Sequence, residues 1–189
     1  MEITQLWKIL LYGWVASEIY IGIATRTRNS GGKVKDSGSL MVLWVTITLA
    51  ITAAEVLHHA MPPNLFGGAH WLMPAAICLL LAGVAIRWTA ILSLGKAFSS
   101  NVAIRETQTV YRGGLYRLMR HPSYTGMLVV FLAIGVQERN WISLLVIMLP
   151  TTAALLYRIH VEEKALNEAF GAEYADYSRQ TKRLIPGIY

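Results

Sequence analysis

Gly113-Gly114-Leu115-Tyr116-Arg117-Leu118-Met119-Arg120-His121-Pro122-Ser123-Tyr124-Thr125-Gly126 is a polar, basic, turn-rich stretch set between two strongly apolar halves of a 189-residue chain. Ionisable groups are costly next to hydrocarbon and are kept there for a purpose. Arg120-His121-Pro122 at the mouth of an apolar run therefore marks the end of a helix facing a polar site, with the proline at the helical position it favours. A second polar block, Arg158, Glu162 and Glu163, follows the last apolar run. The two blocks are read together as the halves of one site.

Composition sets the class. The chain is 54% hydrophobic and only 15% charged, against about 25% charged in soluble domains, and its mean hydropathy is +0.43. Such a chain cannot cover a water-facing surface, so it reads as a membrane protein. The net charge of +6 is no sign of nucleic acid here, because the basic residues lie in loops between apolar runs, where they orient a chain in a bilayer. The one cysteine, Cys78, lies within an apolar run. It makes no intrachain disulfide or zinc cluster and reads as a small buried hydrophobe.

A hydrocarbon core of about 30 Å takes roughly 20 helical residues. Outward from the opening stretch, the runs long enough or nearly so are about 6–24, 40–57, 71–94, 124–136 and 141–157, the last continuing as a helix through Ala169. The first is too long for a signal-peptide core and lacks an A-x-A cleavage site, so it reads as a retained helix. The expected fold is an all-α integral membrane protein of about five transmembrane helices. The last two form a hairpin, and a cytoplasmic loop and C-terminal helices close the site. It is one membrane domain, 1–189, with three N-terminal spans in 1–94 and the catalytic half in 95–189.

Charge assigns the topology. The linker after the first run holds Arg26, Arg28, Lys33 and Lys35, and the loop after the third holds Lys96, Arg105, Arg112, Arg117 and Arg120. The intervening loop holds none, and the tail after the fifth run carries Lys164, Arg179, Lys182 and Arg183. The positive-inside rule puts the N-terminus outside and the C-terminus and site in the cytoplasm. Size and short loops suggest a prokaryotic plasma membrane.

A hairpin of the last two helices brings its outer ends together, so His121 and Arg158 become neighbours. Arg158 and Glu162, four apart, share one helix face. The site then holds a His, two Tyr, an Arg and a Glu beside a lipid-facing wall. That composition suits a polar, nitrogen-rich cofactor and a hydrophobic substrate with a small polar head.

Gly114-Leu115-Tyr116 ahead of Arg120-His121-Pro122-Ser123-Tyr124-Thr125-Gly126 resembles the signature of the isoprenylcysteine carboxyl methyltransferase family. So do Arg158, Glu162 and Glu163, followed by Phe170-Gly171-Ala172-Glu173-Tyr174 and a closing Arg183-Leu184-Ile185-Pro186. The resemblance covers about 94–186 and extends to the broader superfamily with phospholipid methyltransferases. It implies an intramembrane enzyme using S-adenosyl-L-methionine without a Rossmann domain. By similarity Gln108, Thr109, Val110 and Tyr111 line the cofactor, Tyr116 and His121-Pro122-Ser123-Tyr124 continue that wall, and Glu162 binds from the opposite side. Arg158 holds the substrate carboxylate, and Asn101 offers a polar contact. Eukaryotic members carry a His where Gln108 stands.

The chemistry of the residues runs parallel. Methyl transfer from a sulfonium is an in-line displacement that depends on alignment. A carboxylate nucleophile is already ionised at neutral pH and needs only a guanidinium to orient it. The implied activity is methylation of a lipidic, prenyl-type carboxylate. A methyltransferase acting on a lipid amine or thiol, and a non-catalytic membrane subunit, remain open. Glu55 with His58 and His59 supplies one Glu-x-x-His, where a carboxylate metal site in a bundle needs two, so no metal is expected. Glu18 and Arg87, inside apolar runs, read as members of structural pairs.

Overall fold

The computed structural model describes residues 2–25, 33–34, 38–101, 103–104 and 109–189; for 33–34, 96 and 103–104 it describes the backbone alone. The chain is almost entirely helical. Helices α1 (Ile3–Ala24), α2 (Ser39–Ala60), α3 (Leu72–Leu94) and α5 (Trp141–Phe170) are each long and apolar enough to cross a bilayer. α4 (Pro122–Gln137) is a shorter apolar helix, and α6 (Ala172–Gln180) is short and polar. A two-residue antiparallel pair, β1 (Lys33–Val34) with β2 (Ala103–Ile104), ties the first linker to the long polar loop. The protein is an integral membrane protein of the expected all-α class.

Helix lengths already place the site. At about 1.5 Å per residue, the 16 residues of α4 reach roughly 24 Å, less than the hydrocarbon core. The 30 residues of α5 reach roughly 45 Å, so its last turns extend beyond that core. Those turns carry Glu162 and Glu163, level with the N-terminus of α4. Pro122 occupies the first position of α4, where its missing N–H costs nothing.

Packing follows from small residues. α3 lies closest to α4, α2 to α5, and α1 rests on α3. A Cβ on Gly83 would sit 2.7 Å from the Gly126 carbonyl oxygen, and one on Gly126 would sit 2.7 Å from the Gly83 carbonyl oxygen. The two backbones are in contact there, the close approach that small residues permit between membrane helices. Around this crossing Trp14, Leu80, Val130 and Phe131 form the centre of the core, with Trp14 edge-on to Phe131 at 6.0 Å. Outward, Ile23, Met41, Leu49, Leu92 and Leu149 are exposed, as lipid-facing residues are.

Cys78 departs from the sequence reading: it lies exposed on the outside of α3 rather than in the core. The run around it is apolar on all sides, so composition does not tell the lipid face from the core face. Glu18 and Arg87 pair with each other. Arg87 Nη2 donates to Glu18 Oε2 at 2.6 Å, and Nε donates to Oε1. Arg87 Nη1 also reaches Ser123 Oγ at 2.7 Å. The pair fastens α1, α3 and the first turn of α4.

The α4–α5 hairpin turns at 138–140. Asn140 caps α5 by accepting from Ile142 N–H at 2.9 Å, and its side-chain amide donates to the Pro62 carbonyl at 3.3 Å. The α2–α3 connection clamps the same turn, with Asn64 and Leu65 N–H both donating to the Arg139 carbonyl at 2.9 Å. At the other end, the tail after α6 returns to the start of α4. The N–H groups of Arg120 and His121 donate to the carbonyls of Lys182 (2.7 Å) and Arg183 (2.9 Å), and Thr125 Oγ1 donates to that of Leu184 at 2.8 Å.

Candidate active site

Two cavities meet at the polar end of the bundle. The first, about 110 Å³, lies between the loop, the start of α4, the extended turns of α5, and α6. Of the residues expected from sequence, Thr109, Val110, Tyr111, Tyr116, His121, Ser123, Tyr124 and Glu162 line it. Pro122 is buried but is not part of the lining, and Asn101 is buried and lines neither cavity. Gln108 lies outside the described residues. The second cavity, about 50 Å³, is walled by α1, α2, α3 and Arg158, and shares Phe98, Ser99 and Tyr124 with the first.

Tyr124 is the partition. Its hydroxyl donates to Glu162 Oε2 at 2.7 Å and accepts from Arg158 Nε at 3.1 Å. Arg158 further donates to Ser39 Oγ (2.9 Å) and to the Ser100 carbonyl (2.5 Å). The guanidinium is thereby fixed at the wall of the second cavity, with the Glu162 carboxylate on the first. The His121 ring stacks on Tyr124 at 5.6 Å and an 18° tilt, its Nδ1 3.8 Å from Glu162 Oε2.

Behind this wall stands Glu163. Its Oε1 accepts from Arg120 Nε at 2.9 Å and lies 3.4 Å from His121 Nε2. Its Oε2 accepts from Arg183 Nε at 2.9 Å. Arg120 also donates to the carbonyls of Ser178 (2.9 Å) and Thr181. One carboxylate thus joins α4, α5 and the tail. The Arg183 guanidinium is held more firmly charged than usual, chiefly by its hydrogen bonds to Glu163 and then to Tyr189.

Three phenols close the far side. Tyr177 donates to the Tyr116 carbonyl at 2.7 Å, and Tyr116 to the Ala90 carbonyl at 3.4 Å. Burial pushes the Tyr177 phenol up to about 12, with Arg120 pulling the other way. Burial, then the nearby Glu162, pushes Tyr116 well above the ordinary phenol range. Burial, then Glu163 and Glu162, does the same to Tyr174. All three remain neutral donors at physiological pH. The Tyr174 hydroxyl is buried and has no hydrogen-bond partner among the described residues, although Tyr174 lines the first cavity. A buried hydroxyl left unpaired is costly, so a bound polar group there would meet a waiting donor.

Sequence reasoning did not assign Phe98, Ser99, Leu166, Phe170, Tyr174 or Tyr177 to the lining. A signal existed for some of them. Leu166 and Phe170 follow Glu162 at intervals of four, and Tyr174 and Tyr177 are three apart, each set on one helix face. Glu173 is exposed on α6 and accepts from Arg112 through its carbonyl at 3.0 Å and from Val110 N–H through Oε1 at 3.3 Å. It holds α6 to the loop.

The fold and this site define an intramembrane protein with a polar, aromatic-walled cavity at one end of its helix bundle, opening beside a second cavity among the membrane helices. The model of the isoprenylcysteine carboxyl methyltransferase (ICMT) family matches residues 76–168, and the chain is similar to that family over this stretch. Protein-S-isoprenylcysteine O-methyltransferase B of Arabidopsis thaliana is 26% identical over 192 residues, spanning 99% of this chain and 94% of its own. Protein-S-isoprenylcysteine O-methyltransferase of Tribolium castaneum is 35% identical over 124 residues, 63% of this chain and 43% of the relative. The solved structure of the eukaryotic intramembrane Ras methyltransferase ICMT superposes with a TM-score of 0.62 at 30% identity, covering 75% of this chain and 52% of that one. The chain thus spans nearly all of the plant relative but about half or less of the other two.

Proposed function

We propose that the chain transfers a methyl group from S-adenosyl-L-methionine to the carboxylate of a lipidic, prenylcysteine-type acceptor. The observation that carries this is the Tyr124 partition, with Glu162 on one cavity and Arg158 on the other. The first cavity fits the donor. Glu162 offers a carboxylate to its ammonium or ribose hydroxyls, the Tyr174 hydroxyl is an unpaired donor, and Phe98, Leu166 and Phe170 supply apolar wall. His121, Tyr116, Tyr111, Thr109 and Val110 would contribute the rest of the holding surface. When bound, that group supplies an electrophilic methyl on a sulfonium.

The protein's own part is alignment. The acceptor carboxylate arrives ionised, so no base is needed. Arg158 is pre-set by Ser39 and the Ser100 carbonyl. Its Nε bond to Tyr124 can pass to an incoming carboxylate, because the Tyr124 hydroxyl keeps Glu162 as partner. Leu40, Leu43, Trp44 and Met127 in the second cavity offer apolar contact to the lipid part of the acceptor. Loop charges support an orientation with the N-terminus outside and both cavities toward the cytoplasm.

Calorimetry of S-adenosyl-L-methionine binding to the detergent-purified protein tests the reading, with His121→Ala and Glu162→Gln alongside. Saturable binding, lost in both variants, is expected. N-acetyl-S-farnesylcysteine should then acquire a base-labile methyl ester, and Arg158→Lys should keep donor binding while losing most of the transfer. A well-folded wild type that binds no donor would overturn the proposal. Transfer to an amine in preference to the farnesylcysteine, insensitive to Arg158→Lys, would move the activity to another acceptor class.

A further inference from the structure

The tail that returns to α4 forms a basic surface of its own. A basin of about 250 Å³ is lined by Arg120, Arg179, Thr181, Lys182, Arg183 and Tyr189, among others, and shares only Arg120 with the first cavity and no residue with the second. Four cationic side chains surround it. Among the described residues the side-chain carboxylates that touch them are Glu163, between Arg120 and Arg183, and Asp176, paired with Arg179 at the exposed surface. Lys182 is exposed and has no acidic partner among the described residues. The basin keeps an excess of positive charge, and the Thr181 and Tyr189 hydroxyls lie at its edge.

The basin also has a fixed level. Thr125, in the first turn of the short apolar helix α4, donates to the Leu184 carbonyl, so the tail is held at the polar end of that helix. Beside it Ile185 (49%), Ile188 (74%) and Leu118 (55%) are exposed. Apolar side chains standing out next to basic ones at that level have a natural neighbour. Exposed isoleucines suit the acyl boundary of a bilayer, aromatic residues its interface, and cations its lipid phosphates.

We propose that this basin, flanked by Ile185 and Ile188, is a docking site for the headgroup of an anionic phospholipid in the leaflet next to the polar end of the bundle. The match is one of charge and position. A phosphodiester brings the negative charge that Lys182 lacks, with Arg179 beside it, and its acyl chains run along the exposed isoleucines. The proposal does not rest on donor or acceptor binding and stands whether or not the chain transfers methyl groups.

Photoactivatable phosphatidylglycerol, with its reactive group near the glycerol backbone, tests this on the full chain in phosphatidylcholine vesicles. Labelled peptides are located by mass spectrometry. Label should concentrate in residues 171–189 and should be absent there with a photoactivatable phosphatidylcholine. Each basic residue near an anionic surface contributes enough that Lys182→Ala should lower labelling of that peptide about fivefold, and Lys182→Ala with Arg179→Ala more than tenfold. Lys164→Ala, which removes an exposed charge on α5, should leave it unchanged. Both positions are exposed, so the variants should melt with the wild type. Charge reversal by Lys182→Glu serves as a second probe and should lower labelling further. Equal labelling by the two lipids, or an equal fall in Lys164→Ala, would overturn the proposal. Competition by soluble glycerol phosphate would also overturn it, by making the basin a site for free phosphate.

Discussion

Replacing Glu163 with Gln should damage the fold more than any change at its exposed partner Arg183. The carboxylate receives Arg120 Nε on one oxygen, and Arg183 Nε (2.9 Å) and Nη2 (2.8 Å) on the other. Gln preserves the shape but turns one acceptor into an NH2 facing a guanidinium. The side chains of Glu163 and Arg120 are only 11% and 10% exposed, and breaking a buried pair costs about 3–5 kcal/mol. Arg183 is 38% exposed, so solvent screens its share to about 1 kcal/mol or less. At roughly 2–4 °C per kcal/mol for a chain of this size, Glu163→Gln should lower the unfolding midpoint by about 6–20 °C. Arg183→Ala should lower it by no more than about 4 °C. Tryptophan fluorescence during thermal unfolding in one detergent, at one scan rate, measures both. If Arg183→Ala falls as far as Glu163→Gln, or Glu163→Gln stays within about 2 °C of wild type, the carboxylate is not the joint described here.

Three further outcomes follow from separate contacts. Gly126→Ala places a methyl 2.7 Å from the Gly83 carbonyl oxygen and from Arg87 N, and neither backbone can yield cheaply. The same melting assay should show a loss of about 1–3 kcal/mol, and an unchanged midpoint would disprove the backbone contact. Glu18→Gln and Arg87→Met should each destabilise by about 3–5 kcal/mol, with the double variant less affected than the sum of the two, because each single change strands a buried charge; strict additivity would count against the pair. Burial raises the Glu138 carboxyl to about 7, with His58 and His59 pulling it down and Glu55 pushing it up. The stability that its protonated form contributes is complete below about pH 4.5 and is lost as pH rises through about 7, on the order of 3 kcal/mol. Glu138→Gln should flatten stability between about pH 5 and 8, and parallel wild-type and variant curves would refute the assignment.

Much of this architecture was legible because a bilayer imposes lengths. The apolar runs gave helices within a few residues of their ends, and Pro122 marked the start of α4. Motif and hairpin geometry together brought His121, Tyr124, Arg158 and Glu162 to one place. What stayed hidden lay in faces and returns. Cys78 sits on lipid because α3 is apolar all round, so no moment distinguishes its sides. Tyr174 and Tyr177 reach the site only because Gly171, at φ +50°, redirects the chain after α5. The return of the tail onto Arg120 and His121 depends on backbone carbonyls, which leave no trace in side-chain pattern.

The mismatch between α4 and α5 explains why the site exists where it does. A 16-residue helix leaves roughly 6 Å of hydrocarbon thickness uncovered at its ends. At its N-terminus that gap is filled by His121, Arg120 and the returning tail rather than by lipid. The 30-residue α5 runs past the same level and supplies Glu162 and Glu163 to them. Ionisable groups can stay there because each is paired: Glu163 with two guanidinium groups, Glu162 with Tyr124, and Arg158 with Tyr124, Ser39 and Ser100. Restoring α4 to full spanning length by adding a turn of leucines before Pro122 would push apolar side chains into this ring. Thermal stability in detergent need not suffer, but donor binding should vanish. A lengthened variant that still bound S-adenosyl-L-methionine with wild-type affinity would show that the short helix is incidental to the site.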